Sequence, residues 1–491
     1  MDRPESRVNR RSFLTTAAAS AAGPMLLASR ASASQEGAGE VPQVRAGAAV
    51  RKITPELGVD LEGYFMKLGP VKAVHDELYA RSIVLDDGTE RVAISVCDMC
   101  IIPGDVFDRA KEIVEQETGL PADRMLMSAT HTHAAPRVGV ATGEKDLQYA
   151  EFLAKQIAES VTAAIDGLAP AKVGWGAGQK PEYTFNRRWW MKPGTVPPNP
   201  FGETTDRVQF NPPRGSENLV KPAGPVDPEV GVLSVQHANG RPLALLANYS
   251  IHYVGGFVGG HISADYFGVF ARRIAELLDA ESTFVGIMSN GTSGNIGAGT
   301  DFRKRGPGFP PWARIEELGD ALAEEVLRVV REIEHRSAAS IAMREKEIEL
   351  GIRRPDAKRL EWARGVLADP KAKHRHGWTP IYAREALLLA EYPPTVPVKL
   401  QALRIGELMI GAIPCEVFAE TGLALKEASP LEHTFVIELA NQYHGYVPTP
   451  EQHELGGYET WDARSSCLEA EAATKIRAGV LDLFGKAAAR T

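Results

Sequence analysis

Two histidines spaced i, i+2, His131 and His133, sit in the run Met127-Ser-Ala-Thr-His-Thr-His-Ala-Ala-Pro136. A β-prone stretch leads into them, and side chains two apart in an extended segment point to the same side. Both imidazoles are therefore expected to converge on one point. A catalytic zinc site needs about three protein ligands and an open position for water. A third histidine, His252, closes the apolar stretch that begins at Ala244. A carboxylate, Glu416, follows the break at Pro414, and a tyrosine-dense segment runs from Asn441 through Tyr446 to Tyr458 and Glu459. Each is a polar group at the mouth of an expected strand, where open α/β sheets place ligands. Two histidines and a carboxylate form a donor set of the catalytic-zinc type. Taken singly, a histidine at a strand end is more often a hydrogen-bonded structural residue, and spacing does not bring these segments together.

Short buried strands are expected at 91–97, 124–129, 243–248, 283–288, 398–403 and 434–439, where brief apolar runs end in turn residues. Amphipathic patterns predict helices at 105–117, 147–168, 268–278, 315–335 and 466–483. The mixture points to an α/β fold with mixed sheets flanked by helices. No internal repeat is visible. Residues 187–228, rich in Pro, Gly and Asn, are expected to form a long loop, and its Trp189-Trp190 pair either stacks on a ligand or pins the loop to itself. Residues 355–395 are expected to be a helical insert.

The chain has 491 residues, 44% hydrophobic and 24% charged, an ordinary globular balance. Asn9-Arg10-Arg11-Ser12-Phe13-Leu14 is a twin-arginine signature, and Ala31-Ser32-Ala33 offers the small residues of a cleavage site. Residues 1–33 are thus expected to be an export leader, 34–45 a linker, and 46–491 one large domain in the periplasm or outside the cell. Removing the five arginines and two acids of the leader takes the net charge from −8 to −11. That acidity argues against a nucleic-acid partner. No later stretch is long and apolar enough for a membrane helix. Four cysteines are present, and Cys97 and Cys100, at the end of an apolar run, read as buried structural thiols.

In order along the chain, these features resemble the neutral/alkaline (non-lysosomal) ceramidases, zinc-dependent amidases of sphingolipids. The resemblance covers Gly47-Ala-Ala-Val-Arg-Lys-Ile-Thr-Pro55 with Gly63-Tyr64 after it, Asp98, the Thr130–His133 run, Asn186-Arg187, Asn248 through His252, Pro414-Cys415-Glu416, and Tyr446 with Tyr458-Glu459. It implies the catalytic domain of that family, with one Zn2+ held by His131, His252, Glu416 and Tyr446. His133, Arg187 and Tyr458 would then face a small-molecule or lipid-like N-acyl substrate, with His133 and Tyr458 donating hydrogen bonds to the developing oxyanion. Two departures stand out. The family's Gly-Asp-x-Ser-Pro-Asn loop reads Gly294-Asn295-Ile296-Gly297-Ala298-Gly299 here, so a carboxylate and a hydroxyl are replaced. Asp265 and Asp301 are the nearby candidates for a general base. The chain also ends after the helix expected at 466–483, so the C-terminal immunoglobulin-like domain of many members is expected to be absent. The implied activity is amide hydrolysis by metal-activated water. The alternatives are a zinc amidase or esterase acting on a non-sphingolipid such as an N-acylated sugar, and a non-catalytic binding protein on the same scaffold.

Overall fold

The structure is a computed structural model describing residues 43–63, 70–138, 144–255, 257–297, 299, 301–305, 309–369 and 377–489. The twin-arginine leader, the linker up to residue 42, Tyr64 and Ala298 lie outside these residues. Val41–Thr491 makes one compact unit.

Two mixed sheets face each other. The larger has eight strands in the spatial order Val285–Asn290, Pro242–Tyr249, Glu229–His237, Ala169–Gln179, Arg45–Lys52, Tyr79–Asp86, Arg91–Cys97, Met125–Ala129. The smaller runs Ile341–Gly351, Thr395–Ile405, Leu408–Ala412, His433–Ile437. Alternating Val, Ile, Leu and Ala side chains from both inner faces, among them Ile83, Ile94, Leu246, Met343, Leu403 and Phe435, form the apolar layer between the sheets. Helices Gly104–Thr118 and Glu144–Asp166 cover the outer face of one half of the large sheet. Asp265–Leu277 and Ala313–Val330 cover the other half, and Ala472–Ala488 covers the small sheet. The fold is thus four layers, helices outside and sheets within.

Beneath the layers lies a repeat that the sequence does not display. Three times the chain forms two antiparallel pairings and then a parallel one across a helix. In the first unit Arg45–Lys52 pairs antiparallel with Tyr79–Asp86, which pairs antiparallel with Arg91–Cys97. A crossover through helix Gly104–Thr118 then brings Met125–Ala129 parallel to Arg91–Cys97. The second unit repeats this with Ala169–Gln179, Glu229–His237, Pro242–Tyr249, helix Asp265–Leu277 and Val285–Asn290. The third uses Ile341–Gly351, Thr395–Ile405, Leu408–Ala412, helix Ala419–Glu427 and His433–Ile437. Each unit closes with a long helix on the outer face. The expectation of no internal repeat holds for the residues and fails for the topology. Burial asks each unit only for small and branched apolar side chains, so no common motif survives.

The repeat places the chemistry. Cys100, His252 and Glu416 come three, three and four residues after the third strand of their respective units, and His131 comes two residues after the fourth strand of the first. All lie where parallel strands end, the position at which α/β sheets bind ligands.

The segment 187–228 is more ordered than a loop. It carries a three-stranded antiparallel sheet of Val208–Phe210, Arg188–Met191 and Leu219–Pro222. Trp189 is buried there against Met191 and Phe302, with its indole N–H donating to the Asn186 carbonyl at 3.0 Å. It pins its own segment. The insert forms helices Ala357–Ala368 and Trp378–Leu389, packed on each other through Ala363, Ala383 and Ala386.

Phe435 fills the layer between the sheets, and Gly231 makes room for it: a Cβ there would lie 2.6 Å from the ring. Phe435→Ala is expected to cost about 3–5 kcal/mol, read as a fall in the urea midpoint without a change of slope.

Candidate metal centre

The strand before the histidine pair ends at Ala129, so alternation along a strand does not explain their convergence. His131 instead takes a left-handed backbone, φ 72°. Its N–H bonds the Met99 carbonyl at 2.8 Å, and Thr132 turns away to donate to the Ser263 carbonyl at 2.7 Å. This bend brings the two rings edge to face, with Nε2 atoms 3.2 Å apart. Gly63, at φ 98°, is required beside them, because a Cβ would stand 2.6 Å from His133 Cγ. Tyr253 stacks on the far face of His133 at 3.6 Å.

His252 and Glu416 close on the same point. His131 Nε2 is 3.1 Å from His252 Nε2 and 3.3 Å from Glu416 Oε2, and His252 Nε2 is 3.7 Å from that oxygen. A four-coordinate ion with bonds of about 2.0–2.2 Å holds its ligand atoms roughly 3.3–3.6 Å apart, so the three atoms stand at the spacing such an ion requires. Glu416 Oε2 is buried without a hydrogen-bond partner of ordinary geometry. The supporting contacts aim the donors. His131 Nδ1 meets the Cys100 carbonyl at 2.9 Å, and His252 Nδ1 meets the Ser293 carbonyl at 3.3 Å. A proton donated there leaves each Nε2 as a bare lone pair turned inward. The Tyr443 hydroxyl donates to the other Glu416 oxygen at 2.7 Å. These residues fit a bound metal ion.

Electrostatics favour matching protonation states at His252, His133 and Glu416. Burial, with help from Arg187 and His131, holds His252 well below the usual histidine value. Burial, His131 and Arg187 do the same to His133. Burial raises the Glu416 carboxyl, but His131, Tyr446 and Arg187 outweigh it and leave it below its ordinary value. Neutral imidazoles and an ionised carboxylate are the forms a cation binds.

Tyr446 and Glu416 are register partners in a two-residue parallel ladder, and Tyr446 also contacts Arg187 and Tyr458. Arg187 is buried, with Nε on Glu459 at 2.9 Å and Nη2 on the Gly294 carbonyl at 2.7 Å. Burial opposes its charge, and Tyr446, Glu459 and Glu416 more than offset that. Glu459 also binds Arg188 at 2.6 Å. The sequence-predicted residues therefore gather around one centre: His131, His252 and Glu416 converge, His133 joins them, and Tyr446, Arg187 and Tyr458 line one side.

The two carboxylates considered as bases are engaged elsewhere. Asp265 accepts the N–H groups of Val254, Gly255 and Tyr266, fixing the turn after His252, and burial pushes its carboxyl up to about 7. Asp301 is paired with Arg303. Asn295 has its own reason to be an amide. It donates to Glu420 at 2.8 Å and accepts from Ala419 N–H at 2.9 Å, and an ionised aspartate could not make the first bond to an ionised Glu420. Sequence reasoning missed Tyr443 and Tyr253. Both were legible only as members of aromatic-rich segments. All four cysteines are buried free thiols, and Cys100 Sγ lies 3.8 Å from His131 Nδ1.

With this architecture and site, the chain has a neutral-ceramidase-like fold. It aligns with the crystal structure of the neutral ceramidase from Pseudomonas aeruginosa at a TM-score of 0.65 and 19% identity, covering 91% of this chain and 74% of that one. A ceramidase complexed with C2 gives 0.66 and 18%, over 91% and 75%. At such identities the likeness is one of fold. No family model matches the sequence. No helix among the described residues is long and apolar enough to cross a membrane.

Three outcomes follow. Tyr443→Phe removes one supporting hydrogen bond and should weaken metal affinity roughly 10–100-fold, while His252→Ala should abolish stoichiometric metal, both measured by chelator competition. His444, in the same tyrosine-dense segment, is held down to about 4 by burial. The unfolded chain protonates it near 6.5, so the unfolded state binds more protons and stability is lost as pH falls from about 6.5 towards 4. In His444→Gln the fall in Tm over that window should be smaller than in the wild type.

Proposed function

We propose that this chain is an exported zinc-dependent hydrolase that cleaves the amide of an N-acyl substrate. The observation that carries the reading is the set of three donor atoms, from His131, His252 and Glu416, standing 3.1–3.7 Å apart on a ceramidase-like fold. Tyr446, beside Glu416 in the ladder, is the fourth proposed holder of the ion. Two imidazoles, a carboxylate and a phenol suit zinc, and its presence would supply a polarised scissile carbonyl and an acidified water. The twin-arginine signature supports export.

The chain's own residues divide the remaining work. His133 turns Nε2 into the centre, and burial keeps the imidazole uncharged. It is therefore placed to take the proton of the attacking water and to return it to the leaving nitrogen as the C–N bond breaks. Tyr458, whose phenol stays protonated through burial and the nearby Glu416, donates to the oxygen that gains charge. Arg187 stays cationic beside it and orients Tyr446 and the substrate carbonyl. The products are a carboxylic acid and an amine.

The test uses the zinc-loaded chain and a fluorogenic short-chain ceramide, with metal content measured in parallel. Fatty-acid release that disappears in His131→Ala establishes amidase action on a sphingolipid. No release from protein holding one zinc per chain sinks the sphingolipid assignment. The second reading, a non-sphingolipid N-acyl compound, is favoured by Asn295 and Gly297, which change the loop beside Arg187.

A further inference from the structure

Arg187, beside Tyr446, stands at both ends of a closed ring of hydrogen bonds. Its N–H donates to the Asn295 carbonyl at 2.9 Å, and Asn295 Nδ2 donates to Glu420 Oε2 at 2.8 Å. The other Glu420 oxygen accepts from Gln452 Nε2 at 2.9 Å, and Gln452 Oε1 accepts from Arg188 Nε at 3.0 Å. Arg188 Nη1 donates to Glu459 Oε2 at 2.6 Å, and Glu459 Oε1 takes the Arg187 Nε–H at 2.9 Å. Asn295, Arg188 and Glu459 are fully buried, and Arg187 and Gln452 nearly so. The ring joins the strand of Arg188, the loop of Asn295, the first turn of helix Ala419–Glu427, helix Pro450–Leu455 and the turn Tyr458–Thr460.

We infer that Glu420 is a positioning residue, which closes this ring and thereby fixes the Arg187 guanidinium and the turn that carries Tyr458. The direction of the donors decides it. The Ala419 N–H occupies Asn295 Oδ1 at 2.9 Å, so the Asn295 NH2 faces position 420. At the other end Arg188 has only donors to offer, so Gln452 turns its oxygen to Arg188 and its NH2 to position 420. The Ala223 carbonyl accepts from the same NH2 at 2.8 Å and holds the amide in that sense. Position 420 therefore receives a donor from each side, and a carboxylate accepts on both. A glutamine there would set one buried NH2 against another and leave a donor unpaired. Burial raises the Glu420 carboxyl above its ordinary value, and the bonds from Asn295 and Gln452 draw it back in part. Gly224 leaves room for it, since a Cβ there would stand 2.3 Å from Oε1. The carboxylate that the resemblance places at 295 thus stands one hydrogen bond away, at 420, with donor and acceptor exchanged. The use of Arg187 in the reaction rests on the amidase reading, whereas the ring does not.

The test breaks the ring at Glu420 and then mends it from the other side. Glu420→Gln mispairs one link, and adding Asn295→Asp restores an acceptor opposite every donor. The readout is the Nε–H signal of Arg187 in the full zinc-loaded chain, its arginines labelled with heavy nitrogen, assigned by its loss in Arg187→Lys. Glu420→Gln is expected to speed the exchange of that proton with water about tenfold or more, and the double variant to return it to the wild-type rate. Where the single variant does not fold, a folded double variant with the wild-type signal is the same rescue. Tm is recorded for each chain. A lower Tm in Glu420→Gln with the Arg187 signal unmoved overturns the positioning role and leaves Glu420 a structural residue. A double variant no better than the single overturns the ring. Turnover plays no part in this readout, so the ceramide assay and the exchange assay fail independently.

Discussion

Two nitrogen lone pairs and a carboxylate oxygen within 3.7 Å of one another, all out of water, repel unless a cation or a proton lies among them. The rest of the structure is arranged to hold them there. None of the three comes from a side chain reaching freely across a cleft. His131 is set by a left-handed backbone and the Cys100 carbonyl, His252 by the Ser293 carbonyl, and Glu416 by Tyr443 and by ladder pairing with Tyr446. Asp265 locks the turn after His252, and buried Glu438 ties Ser293 to the Val417 N–H behind Glu416. Hydrogen bonds to backbone oxygens and buried carboxylates thus fix the donors against that repulsion, and the geometry of the set is built in the second layer as much as in the first.

The three-unit topology explains why the donors can be so far apart in sequence. A polar residue just past the third strand of each unit lands at the same centre, whether it is Cys100, His252 or Glu416. Two of these residues point donors at the centre. Cys100 lends its backbone carbonyl while its thiol, raised by burial, stays a core group. One architectural position therefore carries three different chemical jobs.

Much of this was legible in the sequence, for uneven reasons. The histidine pair, His252, Glu416 and the tyrosine segment stood out because polar residues ended apolar runs. The strands before the histidines lie within a few residues of expectation, whereas Leu408–Ala412 and Ala419–Glu427, on either side of Glu416, were not among the expected elements, and the last helix starts six residues later than expected. The reason offered for the pair was wrong, since a left-handed residue and not strand alternation turns His131 inward. The antiparallel strands at 45–52, 79–86, 169–179, 229–237 and 341–351 were unread: they are mixed in polarity or glycine-rich, and tertiary burial, not local pattern, makes them strands. The 187–228 segment hid a small sheet because its Pro and Gly content masks pairing set by Trp189 and Phe302. Asn295 looked like a lost carboxylate, and only the structure shows its amide bonded to Glu420.

The donors also order events in time. His131, His252 and Glu416 belong to the first, second and third units, so no contiguous fragment shorter than about two thirds of the domain contains all of them. Between His252 and Glu416, a stretch of 416 − 252 = 164 residues, the growing chain carries only two of the three donors, a weak and open pair for any metal ion. Capture by the full set of donors would have to wait until the third unit docks, a non-local and therefore slow event. An ion held by all three donors would act as the latch on a finished molecule, and its retention would report that folding has run to completion.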